Sequence, residues 1–300
     1  MGSAKGILSF TDTFPNEESC IKYFENLRWK NGVVSPFDKT SKVYKCKGNK
    51  YRCKNTGKYF DVKTGTVFAN TKLPLRYWFY AMFLFLSHKR GVSSCQLSRD
   101  LGITQKTAWN MLNKIREYMG VFNDCSLNGE VEIDETFIGG KNKNRHKDKK
   151  VEKSQGRSFK DKVPVFGMLQ RGGKVVAKVV SNTKAKTLEP YITEHVQENS
   201  IIYTDGWDYG EIRDKYIQMS VDHGIGFYGT SFITEDGEFI QISTNKIENA
   251  WSHLKRTIFG TYYQVSKKHM QKYIDEFTFR FNTRDFTDNQ RFDLYLHHIA

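Results

Sequence analysis

The chain has 300 residues, 38% hydrophobic and 14% aromatic, which is enough for two domains, or one with appendages, around a sizeable core and too apolar for wholesale disorder. Lys and Arg number 47 against 33 acids, a net charge of +14; solubility needs no such excess of one sign, so a polyanionic partner is favoured, nucleic acid ahead of an anionic membrane surface. The longest apolar run, Trp78 to Leu86, is about half of what crosses a bilayer. No charged–apolar–small signal opens the chain, so neither secretion nor membrane insertion is expected. The five cysteines (Cys20, Cys46, Cys53, Cys95, Cys125) are odd in number and scattered, which does not read as a disulfide framework and fits a reducing cytosol.

Taken in chain order, Asn16 to Trp29 has a helical pattern, with Asn16 as cap and acids in the first turn. From Val43 to Phe68 short alternating runs, separated by Gly48-Asn49, Asn55-Thr56-Gly57 and Thr64-Gly65, predict a small β module. Leu75 to Tyr118 reads as helical. A strand is expected over Glu130–Ile138, then an exposed lysine-rich loop or floppy hairpin from Lys141 to Lys162, then strands over Val163–Leu169 and Lys174–Val180. Thr187–Val196 is expected as a helix, Ile201–Thr204 as a buried strand, Tyr209–Lys215 as a helix and Ile217–Val221 as a fifth strand. Helices at about Lys246–Ile258 and Lys267–Arg284 close the chain. That succession of strands and helices is the order of a ribonuclease H-like α/β domain. The expected domains are 1–72, an N-terminal helix and β module; 73–122, a helical DNA-binding region; and 123–300, a catalytic domain carrying the basic loop 141–162.

Structural zinc in a β ribbon needs four ligands in a tetrahedron, commonly two C-x-x-C knuckles. Here Ser35-Pro-Phe-Asp38 stands where a first knuckle belongs, and Cys53-Lys-Asn-Thr56 ends in threonine. The expectation is a degenerate, metal-less ribbon held by Tyr44, Tyr51, Tyr59, Phe60, Val67 and Phe68, with Cys46 and Cys53 as ordinary small core residues.

Gly91 to Tyr118 predicts a helix-turn-helix. Ser93 or Ser94 caps a short helix facing inward through Cys95, Leu97 and Leu101; Gly102 permits the positive φ of the turn; Thr104 caps the second helix, which turns Ala108, Leu112 and Ile115 inward. Gln105, Lys106, Asn110, Asn113, Lys114 and Arg116 are left for bases and phosphates. Lys141, Lys143 and Arg145 in the basic loop, with Lys255 and Arg256 near the end of a helix, are further candidates for backbone contacts.

Phosphodiester chemistry with paired magnesium ions needs converging carboxylates. Asp134 sits within an apolar strand, where a carboxylate is costly unless paired or metal-bound, although alternation alone does not choose among Glu132, Asp134 and Glu135. Asp205 follows Ile201–Thr204 and precedes Gly206, at a strand's C-terminal end, where α/β sites gather. Glu248 lies on a helix, with Lys255 two turns further along the same face. Asp208 and Asp222 read as ordinary surface acids.

The segments Val131-Glu-Ile-Asp-Glu-Thr-Phe-Ile-Gly-Gly140, Tyr203-Thr-Asp-Gly-Trp207, Thr244-Asn-Lys-Ile-Glu-Asn-Ala-Trp-Ser-His-Leu-Lys-Arg256, Val265-Ser-Lys-Lys-His269 and Asp275–Asn282 together resemble the IS1595-family (ISXO2-like) insertion-sequence transposases, relatives of Merlin elements. Thr64–Phe68, Lys72–Leu75 and Gln105–Trp109 extend the resemblance to the N-terminal half. The resemblance implies a DDE-type, ribonuclease H-like nuclease and strand transferase, in which Asp134, Asp205 and Glu248 hold two Mg²⁺ or Mn²⁺ ions and Lys255 is an accessory base. Some relatives carry asparagine as the third acid, which keeps Asn245 and Asn249 in view. Expected partners are double-stranded DNA, as terminal inverted repeats and target, and a second copy of the chain; no membrane is expected, and in a bacterium the place is the cytoplasm, at the nucleoid. The ribbon departs from relatives with four cysteines. The rival readings are a structure-selective nuclease or resolvase, which has no use for an elaborate DNA-reading N-terminal half, and a transposase-derived DNA-binding regulator, which has no use for intact acids.

Overall fold

The computed structural model describes residues 6–140, 142–152, 154, 158–206, 209–221, 230–233 and 239–300. Contacts group the chain into two compact units, Met1–Tyr118 with Asp285–Ala300, and Met119–Arg284. The last helix thus belongs with the N-terminal unit, a departure from the division at residues 123–300 drawn from sequence order. Among the described residues no helix is long and apolar enough to cross a membrane.

In the first unit α1 (Ile7–Thr13) and α2 (Glu17–Arg28) precede a three-stranded antiparallel sheet of β1 (Val43–Cys46), β2 (Lys50–Cys53) and β3 (Tyr59–Phe60). Asn16 caps α2 in a reciprocal pair with Ser19. The apolar run lies in α3 (Leu75–Ser87), which is hydrophobic all round because it is the buried centre of the unit. Pro74 gives α3 no side-chain cap; the Glu17 carboxylate of α2 instead accepts the Leu75 and Arg76 N–H groups at 2.7 and 2.8 Å. Phe10 stacks on Phe83, Phe24 meets Phe79 edge-on, and Phe292 of the C-terminal helix α9 (Asp288–Ile299) touches Phe10, Phe79 and Phe83. Neither α1 nor α9 was expected from periodicity.

The small sheet packs Tyr51, Cys53 and Phe60 against Trp29, Val33 and Val43. Tyr44 and Tyr59, expected in that core, are exposed, and Phe68 packs on Phe24 and Trp78 instead. A ribbon this short has one buried face, so alternate residues must face water. Burial pushes the Cys53 thiol up, but hydrogen bonds with Ser35, Ser41 and Thr56 outweigh it and hold its pKa down to about 6. Three of the knuckle positions therefore meet as a thiol and two hydroxyls.

The second unit is built on a five-stranded mixed sheet in the order β6-β5-β4-β7-β8, formed by β4 (Glu130–Ile138), β5 (Val163–Gln170), β6 (Val175–Val179), β7 (Ile201–Asp205) and β8 (Ile217–Val221). The first three are antiparallel, while β4, β7 and β8 run parallel. Alternation gives the sheet two apolar faces. Val131, Ile133, Phe166 and Met168 cover α6 (Ala185–His195); Val165, Leu169 and Ala177 cover α7 (Asn245–Thr257) and α8 (Met270–Asn282). The outer edge of β6 is satisfied by side-chain amides. Asn282 pairs with both backbone groups of Val175, Asn123 with both of Ala177, and Gln271 accepts from Val179, which closes that edge to another strand.

One further expectation fails here, and one pair of strands had no expectation attached to it. Tyr209–Lys215 is not a helix but holds a 3₁₀ turn at Gly210–Ile212, because the Gln218 side chain binds both backbone groups of Tyr209 and fixes the chain at its entry. A second hairpin, β9 (Thr230–Ile233) with β10 (Phe239–Ile242), was not foreseen.

Candidate active site

Glu132 and Asp134 share the β4 face that looks toward α7, and the structure separates them by partner. Glu132 is fully buried. Its carboxylate accepts from Arg171 at 2.8 Å and from the Lys246 and Ile247 backbone N–H groups at 2.9 and 3.0 Å. It therefore caps α7, whose own Thr244 makes no side-chain cap. Arg171 also donates to the Gln241 and Ser243 carbonyls and lies over the Tyr203 ring. Glu135 is on the opposite face, where Tyr209 donates to it. Glu132 is thus committed to holding the helix and Glu135 faces away from it, while Asp134 shares the α7-facing side of the strand.

Asp134 accepts from the Trp251 indole N–H at 3.0 Å. Trp251 can approach the strand there because Asp134 pairs across the ladder with Gly167, where an added Cβ would collide with the indole ring. Burial raises the Asp134 carboxyl to about 6; hydrogen bonds from the backbone at Glu135 and from Trp251 oppose this, and the charges of Glu248 and Asp205 add to it. Asp205 stands one residue beyond the parallel pair Ile133–Thr204, at the C-terminal end of β7, so it is the cross-strand neighbour of Asp134 and shares its face. Gly206 follows at φ 65°, ending the strand.

Glu248 lies in the first turn of α7 and accepts from Thr244 Oγ1 at 3.4 Å. Lys255 is half-buried further along α7; burial lowers its ammonium pKa, Asp134 opposes the shift and Lys162 adds to it. Lys162, near both Lys255 and the end of β4, was not singled out in the sequence. Asn245 and Asn249 are exposed on the same helix. Among the described residues no three His, Cys, Asp or Glu side chains gather about one point closely enough to hold an ion. The donors nevertheless suit a hard divalent cation. They are all carboxylates, and a buried one faces two like charges that a cation offsets.

Elsewhere the outcome for individual residues is mixed. Ser93 caps α4 (Ser94–Leu101), Gly102 has φ 63°, and the Thr104 hydroxyl accepts from Thr107 N–H at the start of α5 (Gln105–Met119). Gln105, Lys106, Asn110 and Lys114 are exposed. Asn113 and Arg116, expected outside, are only 6% and 1% exposed, and Cys95, expected inside, is exposed. The reason is α9: Tyr295 donates to the Ile115 carbonyl, and Arg116 lies over Phe85 of α3, so the second half of α5 is enclosed on more sides than a two-helix pattern implies. Arg145 pairs with the buried Asp161 at 3.2 Å. Arg256 is exposed. Lys141, the Lys143 side chain, Asp208 and Asp222 lie outside the described residues.

Residues 126–282 match the ISXO2-like transposase domain, and residues 15–58 match the transposase zinc-ribbon domain. An uncharacterized protein in transposable element ISH50 of Halobacterium salinarum is 26% identical over 89% of this chain and 92% of its own length. An uncharacterized transposase-like protein of Haemophilus influenzae is 31% identical over 37% of this chain and 84% of its own. Among solved structures, a chain of the Mos1 strand transfer complex matches with a TM-score of 0.26 and 13% identity, covering 80% of this chain and 78% of that one. The transposase-domain match spans more than half of the sequence, and it takes in the strand of Asp134, the strand end at Asp205 and the helix of Glu248: the chain belongs to the ISXO2-like (IS1595) transposase family.

Proposed function

We propose that the protein binds the terminal inverted repeats of an insertion sequence and carries out metal-dependent strand cleavage and strand transfer. The observation that carries this reading is the adjacency of Asp134 and Asp205 on parallel strands, with Glu248 near enough for its charge to act on Asp134. The strand order β6-β5-β4-β7-β8 supports a ribonuclease H-like catalytic unit. Asp134, Asp205 and Glu248 would hold the divalent ions, Mg²⁺ or Mn²⁺, which supply Lewis-acid activation of the attacking hydroxyl and stabilise charge at phosphorus.

The chain's own residues have separable tasks. Trp251 fixes one oxygen of Asp134, and Glu132 with Arg171 fixes the start of the helix that carries Glu248. Lys255, beside Asp134, is suited to a phosphate oxygen of the strand. In the first reaction water attacks phosphorus and the P–O3′ bond breaks, releasing a 3′ hydroxyl. In the second that hydroxyl attacks a target phosphodiester, a new P–O bond forms and the target's 3′ oxygen departs. Gln105 and Asn110 on α5 are assigned to base edges, and Lys106 and Lys114 to phosphates. The metal-less ribbon joins them in repeat binding, with Arg145, Arg256 and the lysines of loop 141–162 on the backbone. Two element ends must be brought together, so the working form is assigned as a homodimer on DNA.

The direct test incubates the protein with labelled terminal-repeat DNA and a target plasmid in Mg²⁺ and in Ca²⁺. Nicked and joined products are expected in Mg²⁺, with binding and little turnover in Ca²⁺, whose longer and looser coordination suits the reacting phosphate poorly. Cleavage that persists in chelator overturns the reading.

A further inference from the structure

Along the second unit α7 follows β4. Its first N–H groups meet Glu132, Trp251 meets Asp134, and Ile258 and Phe259 reach the level of Ile138 and Gly139. Beyond Asp134 in that direction lies a cavity of about 820 Å³, a size that accepts a nucleotide-scale ligand. Ile138, Val163, Ile258 and Met270 give it apolar walls, and Arg145, His146, Lys149 and Lys267 stand around it. At about 1.5 Å per helical residue, the end of α7 at Thr257 is roughly 14 Å along the helix from Glu248.

The cavity is bordered by an unusual piece of backbone. After Thr257 the helix widens into a π turn over Ile258–Tyr262, a rare conformation that is frequent at functional sites. Tyr263 follows at φ 62° and ψ −62°, and Gln264 N–H donates to the Tyr262 carbonyl at 2.7 Å, which makes a tight γ-turn centred on a bulky residue. That turn is strained for anything but glycine. Its result is a Tyr263 ring 81% exposed at the cavity's edge, with Phe259 45% exposed on the turn before it. A fold that spends backbone strain to hold an aromatic ring in water has no packing return from it.

The charges are also prearranged. Asp161 holds Arg145 at 3.2 Å, anchoring the basic segment to the wall, while Lys267 Nζ lies 3.5 Å from the Phe159 and Lys160 carbonyls. His146 and Lys149 remain exposed. Exposed aromatic faces among cations suit a polyanion whose bases are free to stack, and bases inside a duplex are not free.

We propose that this cavity is a subsite for unpaired nucleotides of a DNA strand running past Asp134, with Tyr263 and Phe259 as stacking platforms and His146, Lys149 and Lys267 on the phosphates. The inference rests on the reading of the chain as a DNA-cleaving transposase, and it names the strand state that the site accepts.

The experiment measures binding of the full chain, in Ca²⁺, to a labelled oligo-dT and to a terminal-repeat duplex. Tyr263→Gly is the informative variant, because it removes the ring while relieving the turn. Its melting temperature should equal or exceed that of the wild type, whereas its affinity for oligo-dT should fall about tenfold and its affinity for the duplex should hold. Tyr263→Phe should restore oligo-dT binding to within about twofold, since the ring face is what stacks. Unchanged oligo-dT binding by Tyr263→Gly overturns the proposal, and so does an equal loss on duplex and single strand. Cleavage of repeat DNA by wild type and Asp134→Ala is assayed in parallel. Equal cleavage by both sinks the transposase reading and leaves the Tyr263 result standing; Asp134-dependent cleavage with no Tyr263 effect sinks the subsite alone.

Discussion

At the residue scale the acids divide by what holds them. Asp134→Ala, Asp205→Ala and Glu248→Ala are each expected to abolish cleavage and transfer in a gel assay while repeat binding survives, since repeat reading is assigned to α5 and the ribbon and backbone binding to cationic side chains, none of them these acids. If Glu248→Ala cleaves normally and Asn245→Ala or Asn249→Ala does not, the third ligand moves off Glu248. Trp251→Phe keeps the ring on the sheet and removes only the N–H that Asp134 accepts. It should lower the cleavage rate by about tenfold or more, with melting temperature within a few degrees of wild type, as for an exchange that conserves most volume. Gly167→Ala should instead destabilise by about 1–3 kcal/mol in urea titration, because its methyl enters the indole ring. The carboxylates were legible in the sequence because a charge in an apolar strand demands a reason. Their sorting was not, since the partners of Glu132 come from Arg171 and the start of α7. A glycine in the middle of β5, opposite Asp134, was the available signal for Trp251, because glycine inside a strand marks close approach.

At the scale of single elements, α5 shows what periodicity reads and what it misses. Gln105→Ala or Asn110→Ala should reduce the preference for repeat over random DNA by about 1–3 kcal/mol for each lost base contact, measured by competition at fixed salt. Asn113→Ala and Arg116→Ala should act on stability instead, lowering the melting temperature with little change in preference, because both side chains are buried. The turn chemistry of Ser93, Gly102 and Thr104 is local and was legible; the burial of Arg116 depends on Phe85 and on a helix that enters from the far end of the chain. The ribbon makes a second element-scale case. With Ser35 and Thr56 hydrogen-bonded to Cys53, the purified protein should contain well under one equivalent of zinc and keep its fold in chelator. Ser35→Cys, Asp38→Cys and Thr56→Cys combined should raise zinc to about one equivalent, read by elemental analysis. Stoichiometric zinc in the wild type sinks the metal-less assignment.

At the scale of the molecule, the chain leaves its first unit at Tyr118, completes the second, and returns at Asp285. Sequence order could not reveal this return, because the pattern over 288–299 does not read as a helix and the partners of its buried side chains lie far away in the chain. Its buried residues are Phe292, Tyr295, Leu296 and Ile299. Arg291 donates to the Leu86 carbonyl at 3.0 Å, Tyr295 to the Ile115 carbonyl at 2.8 Å, and Tyr23 to Asp293 at 2.8 Å. At about 1.5–3 kcal/mol for each large apolar side chain buried, α9 contributes roughly 6–12 kcal/mol to the first unit, as much as the whole stability of a typical domain. A chain ending at Arg284 should therefore lose repeat binding although every candidate DNA-reading and metal-binding residue remains. Near-ultraviolet dichroism should report the collapse of the aromatic core around Phe10, Phe79 and Phe83, and limited proteolysis should leave a resistant fragment close to 119–284. A truncated chain that binds repeats as well as the full one, or that is cut first in the sheet, shows that α9 does not hold the first unit together.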